Sequence, residues 1–216
     1  MENRDYYKIL YVSQSGKGKT YSFRNMNPET TGFINVENKP LPFKNKFKYH
    51  SRPTTYVEAF NKLIEYAKTP EITAIVFDSF SAYVDLLLLD CRKTKKGFEV
   101  WNTYAEEIGK LLNMIKRVPK EVFVTAHYEI LGIEGVQEKR VKIKGKEWEG
   151  LIEKEFTIVL YANNRFEEES KRPNYHLSLC LEDSSSKCPP EIFGENILEI
   201  PNDSNMVLEK ILEFIK

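Results

Sequence analysis

Short apolar runs alternate with longer amphipathic stretches along the first 127 residues of the chain. The apolar runs predict buried β-strands over 7–12, 32–37, 72–78 and 121–127. Apolar residues recur at helical spacing over 55–68 and 99–117, and a proline after each stretch predicts the end of a helix. Strands separated by helices are typical of a mostly parallel sheet covered by helices, so we predict an α/β fold.

The pattern changes after His127. Apolar and polar residues alternate over 133–143, 156–161 and 175–181, which predicts an antiparallel extension of the sheet. The last periodic stretch, 206–215, predicts a C-terminal helix. With 216 residues, 41% of them hydrophobic, the chain can build one sizeable core. We therefore predict one domain, with a core over 1–127 and an antiparallel extension plus C-terminal helix over 128–216.

Composition narrows the classes of partner. Lys and Arg total 32, as do Asp and Glu, so no net charge draws the whole chain to nucleic acid or to an anionic membrane. The three cysteines and three histidines are scattered without CxxC spacing, which favours reduced thiols and no structural zinc. The leucine-rich run over 84–89, which Asp85 interrupts, is too short to span a bilayer. We expect a soluble cytoplasmic protein with no membrane contact.

The most specific motif follows the first predicted strand. Residues 13–20 read Ser-Gln-Ser-Gly-Lys-Gly-Lys-Thr and match the phosphate-binding loop G-x-x-x-x-G-K-[S/T], except that Ser13 replaces the first glycine. In such a loop, backbone N–H groups hold phosphates, the lysine reaches the β- and γ-phosphates and the hydroxyl binds Mg²⁺. A solvated Gly-Lys turn is the alternative. The predicted nucleotide contacts are Ser13, Gln14, Ser15, Gly16, Lys17, Gly18, Lys19, Thr20 and Tyr21.

Three more candidates end predicted strands. Asp78 ends the strand over 72–78 and is predicted to hold Mg²⁺ through water, although it could simply cap the next helix. Many ATPases have a glutamate directly after this aspartate, and it orients and deprotonates water. Here Ser79 follows Asp78, so another carboxylate must do this. Glu37 is the predicted base, because the carboxyl ends of parallel strands share one edge of the sheet; a solvated glutamate is the alternative. His127 is either a γ-phosphate sensor or a structural histidine.

The order strand–SGKGKT, FINVE, AIVFDS and VFVTAH resembles that of RecA-like recombinase and helicase ATPases. It is most similar to phage-encoded RecA-like P-loop proteins of the AAA type, including the Sak-type single-strand annealing ATPases. ENKPLPF at 37–43, GLIEKEF at 150–156 and SKCP at 186–189 extend the resemblance over most of 7–216. It implies a RecA-like P-loop NTPase core that binds ATP and Mg²⁺.

The resemblance also implies roles for individual residues. Lys19 and Thr20 would contact phosphate and Mg²⁺, with Asp78 on Mg²⁺-bound water, Glu37 as the base and His127 as the sensor. Lys187 is similar to the lysine that RecA-like proteins insert into a neighbour's nucleotide site, which implies a homo-oligomer. An ordinary exposed lysine is the alternative for Lys187.

Two basic segments, 92–98 and 139–146, fall where RecA-like proteins carry DNA-contacting loops. Lysines and arginines beside Phe98, Trp101 and Trp148 are suited to holding a phosphate backbone and stacking bases. Alternating lysines on an exposed hairpin also protect edge strands from aggregation, so that alternative stays open. The predicted single-stranded DNA contacts are Arg92, Lys93, Lys95, Lys96, Lys139, Arg140, Lys142 and Lys144.

These features together predict a Mg²⁺-dependent, DNA-stimulated ATPase of phage DNA recombination or single-strand annealing, acting in the host cytoplasm. A non-catalytic, nucleotide-dependent binding module or loader that acts with single-strand-binding or replication proteins is the alternative. A small-molecule P-loop kinase is a third reading. It is disfavoured because the arginines are few and scattered, whereas a kinase needs several that converge on the transferred phosphoryl group.

Overall fold

The computed structural model of the protein describes residues 4–133, 136–168 and 171–216. The strands in chain order are β1 (Lys8–Val12), β2 (Thr31–Asn35), β3 (Tyr49–Ser51), β4 (Ala74–Asp78), β5 (Glu121–Ala126), β6 (Tyr128–Ile133), β7 (Val136–Val141), β8 (Ile158–Glu167), β9 (Arg172–Ser178) and β10 (Glu199–Pro201). The helices are α1 (Tyr56–Lys68), α2 (Phe80–Thr94), α3 (Phe98–Arg117), α4 (Pro190–Phe193) and α5 (Ser204–Phe214).

Eight strands form one sheet in the order β10-β9-β8-β1-β5-β4-β2-β3. The neighbours from β8 to β3 are parallel, whereas β9 and β10 join the β8 edge in antiparallel pairing. Strands β6 and β7 form a separate antiparallel sheet. This arrangement confirms the predicted α/β class, with a mostly parallel central sheet and antiparallel strands toward the C-terminus.

Both faces of the central sheet are covered. Leu10 and Phe77 point to a core that includes buried residues of α1, α2 and α3, whereas Ile9 and Val76 point to a second core that includes Val207 of α5. Every residue of β1, β2, β4 and β5 is buried. Strands covered on both faces are apolar throughout rather than alternating, and this is why the sequence pattern marks them so clearly.

Several elements differ from their sequence pattern. Helix α2 is not predicted, because its consecutive leucines over 86–89 hide the helical period. The alternation expected over 133–143 belongs to a hairpin that begins earlier, at Tyr128, and forms its own sheet. Residues 134 and 135 lie outside the described part of the chain. None of the helices formed by the described residues is long and apolar enough to cross a membrane.

The segment after the loop over 13–20 is a short 3₁₀ helix, Thr20–Asn25. The hydroxyl of Ser22 donates to the carbonyl of Lys19 at 2.6 Å. A serine that bonds the local backbone competes with regular helical pairing, and the aromatic residues on either side also have low helix propensity. The short helix keeps Phe23 in the core between Tyr11 and Phe33.

Candidate functional site

Residues 15–21, Glu37, Asp78 and His127 meet at the carboxyl edge of the sheet. Strand β1 ends at Val12 beside Ala126 of β5, and the backbone N–H of Ser13 donates to the Ala126 carbonyl at 3.2 Å. The loop over 13–20, the ends of β2 and β4 and the residue after β5 therefore open into one crevice. A cavity of about 470 Å³ occupies it. Its lining includes Ser15, Gly16, Lys17, Gly18, Lys19, Thr20, Tyr21, Glu37, Asp78, His127 and Tyr175.

The loop folds back on its own lysine. The Nζ of Lys19 donates to the Ser13 carbonyl at 2.9 Å, the Ser13 hydroxyl at 3.0 Å and the Gln14 carbonyl at 3.1 Å. Burial lowers the pKa of Lys19 to about 8, while Asp78 and Glu37 oppose that shift. The cation is therefore held at the centre of the loop.

Glycine is required in the loop at two positions. Gly16 and Gly18 have φ angles of 76° and 91°, a region that side chains other than glycine rarely adopt. Among the described residues other than glycine, positive φ occurs only at Asn38, Lys171 and Asp183. The backbone at Ser13 therefore does not need the glycine of the common pattern.

Thr20 and Asp78 place two oxygens side by side. The Thr20 hydroxyl donates to Oδ2 of Asp78 at 2.9 Å, and the Thr125 hydroxyl donates to Oδ1. Burial raises the pKa of Asp78, Glu37 adds to the rise, and Thr125, Thr20 and Lys19 oppose it. A hydroxyl beside a carboxylate, facing a phosphate-binding loop, is the oxygen donor set that Mg²⁺ prefers, so these residues fit the expected ion.

Asp78 is not the cap of the following helix. Ser79 occupies that position, and its hydroxyl accepts from the Ala82 N–H at 3.1 Å. The peptide bond between Asp78 and Ser79 is cis. The alternative in which Asp78 caps α2 is therefore wrong, and its carboxylate faces the cavity instead.

Glu37 and His127 lie next to each other in the lining of the cavity. Oε1 of Glu37 lies 3.7 Å from Nε2 of His127 and accepts from the Ser79 hydroxyl at 3.2 Å, while Oε2 accepts from Lys39 at 3.0 Å. The neighbouring His127 first, and then Lys39 and Ser79, lower the pKa of Glu37 to about 2 against an opposing effect of burial. Glu37 is therefore a permanent negative charge near Asp78.

His127 connects the loop to neighbouring elements. Its Nδ1 lies 3.1 Å from the Ser13 carbonyl, and its backbone N–H donates to the Ser81 hydroxyl at 2.8 Å. Its carbonyl accepts from the Lys142 N–H at 2.8 Å, just after β7. A displacement of the His127 backbone would therefore also move Lys142, in the basic segment 139–146.

Residues of the C-terminal strands complete the loop's surroundings, and sequence analysis missed them. Asn164 of β8 accepts from Lys17 Nζ at 2.8 Å, and Asn202 donates to the Gly18 carbonyl at 3.0 Å. Tyr175 of β9 lines the cavity of about 470 Å³. No local motif surrounds these residues; only the pairing of β8 with β1 and of β9 with β8 would have indicated their position.

Lys187 lies elsewhere. Its backbone pairs with Val159 in the body of the sheet, with N···O distances of 2.8 and 3.1 Å, and it does not line the cavity of its own chain. Burial lowers the pKa of Lys187, and Glu153 and Glu155 oppose this. The structure does not bring Lys187 to Lys19 within one chain, so a role in a neighbour's site stays a prediction.

The two basic segments approach each other around aromatic rings. Phe98, Trp101 and Trp148 line a second cavity of about 340 Å³ together with Lys144. Phe98 is 86% exposed. Lys95 and Arg140 are engaged by Glu99 and Glu138. Within the described part of the chain, the other six predicted DNA contacts form no salt bridge: Arg92, Lys93, Lys96, Lys139, Lys142 and Lys144.

Comparisons with known proteins agree with this geometry. The sequence matches a family described as the AAA domain over residues 5–185. The fold is similar to that of a KaiC-like protein, PH0186, from the hyperthermophilic archaeon Pyrococcus horikoshii OT3, with a TM-score of 0.51 and 12% identity over 85% of this chain and 82% of that one. At this identity the likeness concerns the fold alone. No curated protein sequence matches the chain.

Proposed function

We propose that the chain, which belongs to the AAA domain family, binds ATP with Mg²⁺. In this proposal it hydrolyses ATP and releases the γ-phosphate when single-stranded DNA is bound. One observation carries the proposal. Lys19, Thr20, Asp78 and Glu37 line a single cavity at the end of a parallel sheet, although they come from three separate segments of the chain. ATP hydrolysis needs a phosphate-binding loop, oxygen ligands for a metal ion and a second carboxylate.

Each residue has a task that follows from its contacts. Lys19 leaves the Ser13 carbonyl and hydroxyl to bind the β- and γ-phosphates. Thr20 and Asp78 would hold Mg²⁺, which neutralises charge on the phosphate oxygens when bound. Glu37 stays ionised because its pKa is about 2, so it orients the attacking water by accepting its hydrogen bond. In this proposal His127, which lies 3.7 Å from Glu37, senses the terminal phosphate.

Single-stranded DNA is the proposed activator because charge and rings meet on one surface. Exposed Lys142 and Lys144 follow β7, and Lys144 lines the cavity with Phe98, Trp101 and Trp148. Lysines hold a phosphate backbone, and exposed rings stack on bases whatever their sequence. The hydrogen bond from the Lys142 N–H to the His127 carbonyl offers a direct route from this surface to the nucleotide.

The cellular role we propose is DNA recombination or single-strand annealing, in a protein of phage origin related to the Sak-type ATPases. In this proposal the active form is a homo-oligomer in which Lys187 reaches a neighbour's nucleotide. Lys187 does not line the cavity of its own chain, so a contact with nucleotide would have to be made in a neighbouring subunit. A charge supplied by a neighbour would stabilise the transition state only after assembly, so turnover would depend on protein concentration.

The test is ATP hydrolysis by the wild type and by Lys19→Ala, each with and without single-stranded DNA, with DNA binding followed by fluorescence anisotropy at two salt concentrations. We expect turnover that DNA stimulates in the wild type and that is absent from Lys19→Ala. The double variant Lys142→Gln/Lys144→Gln should lose stimulation and salt-sensitive binding, whereas Lys210→Gln on α5 should retain both. A rate of ATP hydrolysis that changes neither with added DNA nor with substitution of Lys142 and Lys144 would contradict the proposed role of DNA.

A non-catalytic, nucleotide-dependent binding module is the second candidate. It is favoured by the hydrogen bonds that hold Lys19 against its own loop, since these must break before phosphate binds. Tight ATP binding without turnover, with DNA present and across a range of protein concentrations, would support this candidate. It would then act as a loader with single-strand-binding or replication proteins.

A further inference from the structure

Two tyrosine rings wall one end of the nucleotide cavity. Tyr21 directly follows the phosphate-binding loop, and Tyr175 comes from β9, far along the chain. Both line the cavity, and their ring centroids lie 5.6 Å apart at an interplanar angle of 49°. Both side chains are only partly buried. The rings therefore offer apolar surface to whatever occupies that end.

The proposed function assigns another part of the cavity to the phosphates. Thr20 and Asp78 mark the position of the metal, and Glu37 lies beside them. The second apolar part of the lining, residues 40–42, follows Lys39, which is paired with Glu37 at 3.0 Å. That part therefore adjoins the terminal phosphate. A nucleotide oriented in this way extends its sugar and base past the end of the loop, toward Tyr21 and Tyr175.

Neighbouring groups hold the rings of Tyr21 and Tyr175 in position. The Arg24 guanidinium lies 4.3 Å from the Tyr21 ring centroid and donates to the Tyr21 carbonyl at 3.1 Å and the Asn202 carbonyl at 2.6 Å. The Tyr175 ring lies directly on the loop, since a Cβ at Gly18 would approach its Cδ1 to 2.6 Å. A ring fixed in place costs less conformational entropy when a ligand stacks on it.

We propose that Tyr175 is the stacking platform for the nucleobase, with Tyr21 as its neighbour. The proposal rests on the nucleotide binding of the proposed function and adds a specificity: the C-terminal strands recognise the base by its ring face. Stacking depends little on the identity of the base, because every base has such a face. ATP and GTP should therefore bind with similar affinity, and both should bind more tightly than a ligand without a base.

The experiment compares Mg²⁺-ATP, Mg²⁺-GTP and Mg²⁺-tripolyphosphate by isothermal titration calorimetry. Tripolyphosphate carries the phosphates alone, so its affinity measures binding to the phosphate-binding loop. The two nucleotides also have a base, so their additional affinity measures stacking on Tyr175. Wild type is compared with Tyr175→Leu, which keeps apolar bulk without a ring, and with Tyr175→Phe, which keeps the ring. We expect Tyr175→Leu to weaken both nucleotides about tenfold, leaving tripolyphosphate within about twofold, and Tyr175→Phe to bind like the wild type.

Each other result overturns the proposal in an identifiable way. Equal weakening of all three ligands in Tyr175→Leu would mean that the ring only supports the loop. Unchanged nucleotide binding in Tyr175→Leu would place the base elsewhere, while leaving the proposed ATPase intact. A strong preference of the wild type for ATP over GTP would contradict recognition by stacking. Failure of the wild type to bind any of the three ligands would contradict both the proposed function and the proposed stacking on Tyr175.

Discussion

The hydroxyl of Thr20 donates a hydrogen bond to the Asp78 carboxylate across 2.9 Å, although 58 positions separate the two residues in the chain. One belongs to the phosphate-binding loop and the other ends β4. Their contact defines where the expected Mg²⁺ would bind. It also links the most recognisable motif of the sequence to the strand two places away in the sheet.

Removing the Thr20 hydroxyl should weaken the response to Mg²⁺. Thr20→Val keeps the shape of the side chain but removes one oxygen, so we expect the Mg²⁺ concentration required for half-maximal ATP binding to rise at least about tenfold. Thr20→Ser keeps the hydroxyl and should stay within about threefold of the wild type. The measurement is an ATP titration at a series of Mg²⁺ concentrations. An unchanged Mg²⁺ requirement in Thr20→Val would place the ion elsewhere.

Ser13 should limit the affinity for ATP. Its hydroxyl accepts a hydrogen bond from Lys19 at 3.0 Å, and this bond must break before Lys19 reaches a phosphate. Since one such bond is worth about 1 kcal/mol, Ser13→Ala should bind Mg²⁺-ATP about fivefold more tightly. Ser13→Gly, which restores the common loop pattern, should change affinity in the same direction. Weaker binding in Ser13→Ala would show instead that the hydroxyl contacts the nucleotide.

Local motifs made part of this site predictable. The loop over 13–20, Glu37, Asp78 and His127 could all be placed at one sheet edge because each follows or ends an apolar strand. Tyr175, Asn164 and Asn202 could not be placed, because their contacts depend on which strands pair at the β8 edge. Helix α2 was hidden for a different reason: its run of leucines has no clear period.

Lys8 should make the free energy of unfolding increase with pH. Its Nζ donates to the carbonyls of Val118 and Lys120 at 2.8 and 2.6 Å, and burial lowers its pKa from 10.5 to about 8, with Glu121 opposing the shift. Between these two values the unfolded chain holds a proton that the folded chain has released. The Lys8 contribution to stability therefore rises as the pH increases through this window.

Lys8→Met isolates that contribution. In urea unfolding at pH 7.5, 8.5 and 9.5, the difference in unfolding free energy between the wild type and Lys8→Met should shift with each step in favour of the wild type, by at most about 1.4 kcal/mol per pH unit. Lys68→Met, at an exposed position near the end of α1, is the matched control and should keep the pH dependence of the wild type. Parallel curves for wild type and Lys8→Met would contradict the assignment.

Glu37 provides the sharpest separation between binding and chemistry. Its carboxylate accepts from Ser79 and Lys39 and lies beside His127, so glutamine preserves its size and much of its bonding while removing the charge. Glu37→Gln should therefore still bind Mg²⁺-ATP, within about threefold of the wild type, because the loop and Lys19 are untouched. Hydrolysis should fall, because the amide oxygen of glutamine is a neutral and far less basic acceptor for the attacking water.

The central claim is that Lys19, Thr20, Asp78 and Glu37 form a site that hydrolyses ATP. Its most direct test is single-turnover hydrolysis of Mg²⁺-ATP, with single-stranded DNA present, by the wild type, Glu37→Gln and Lys19→Ala. The account predicts hydrolysis in the wild type, a loss of at least about a hundredfold in Glu37→Gln with ATP still bound, and neither binding nor hydrolysis in Lys19→Ala. Hydrolysis undiminished in Glu37→Gln, or a wild type that binds no ATP, would contradict it.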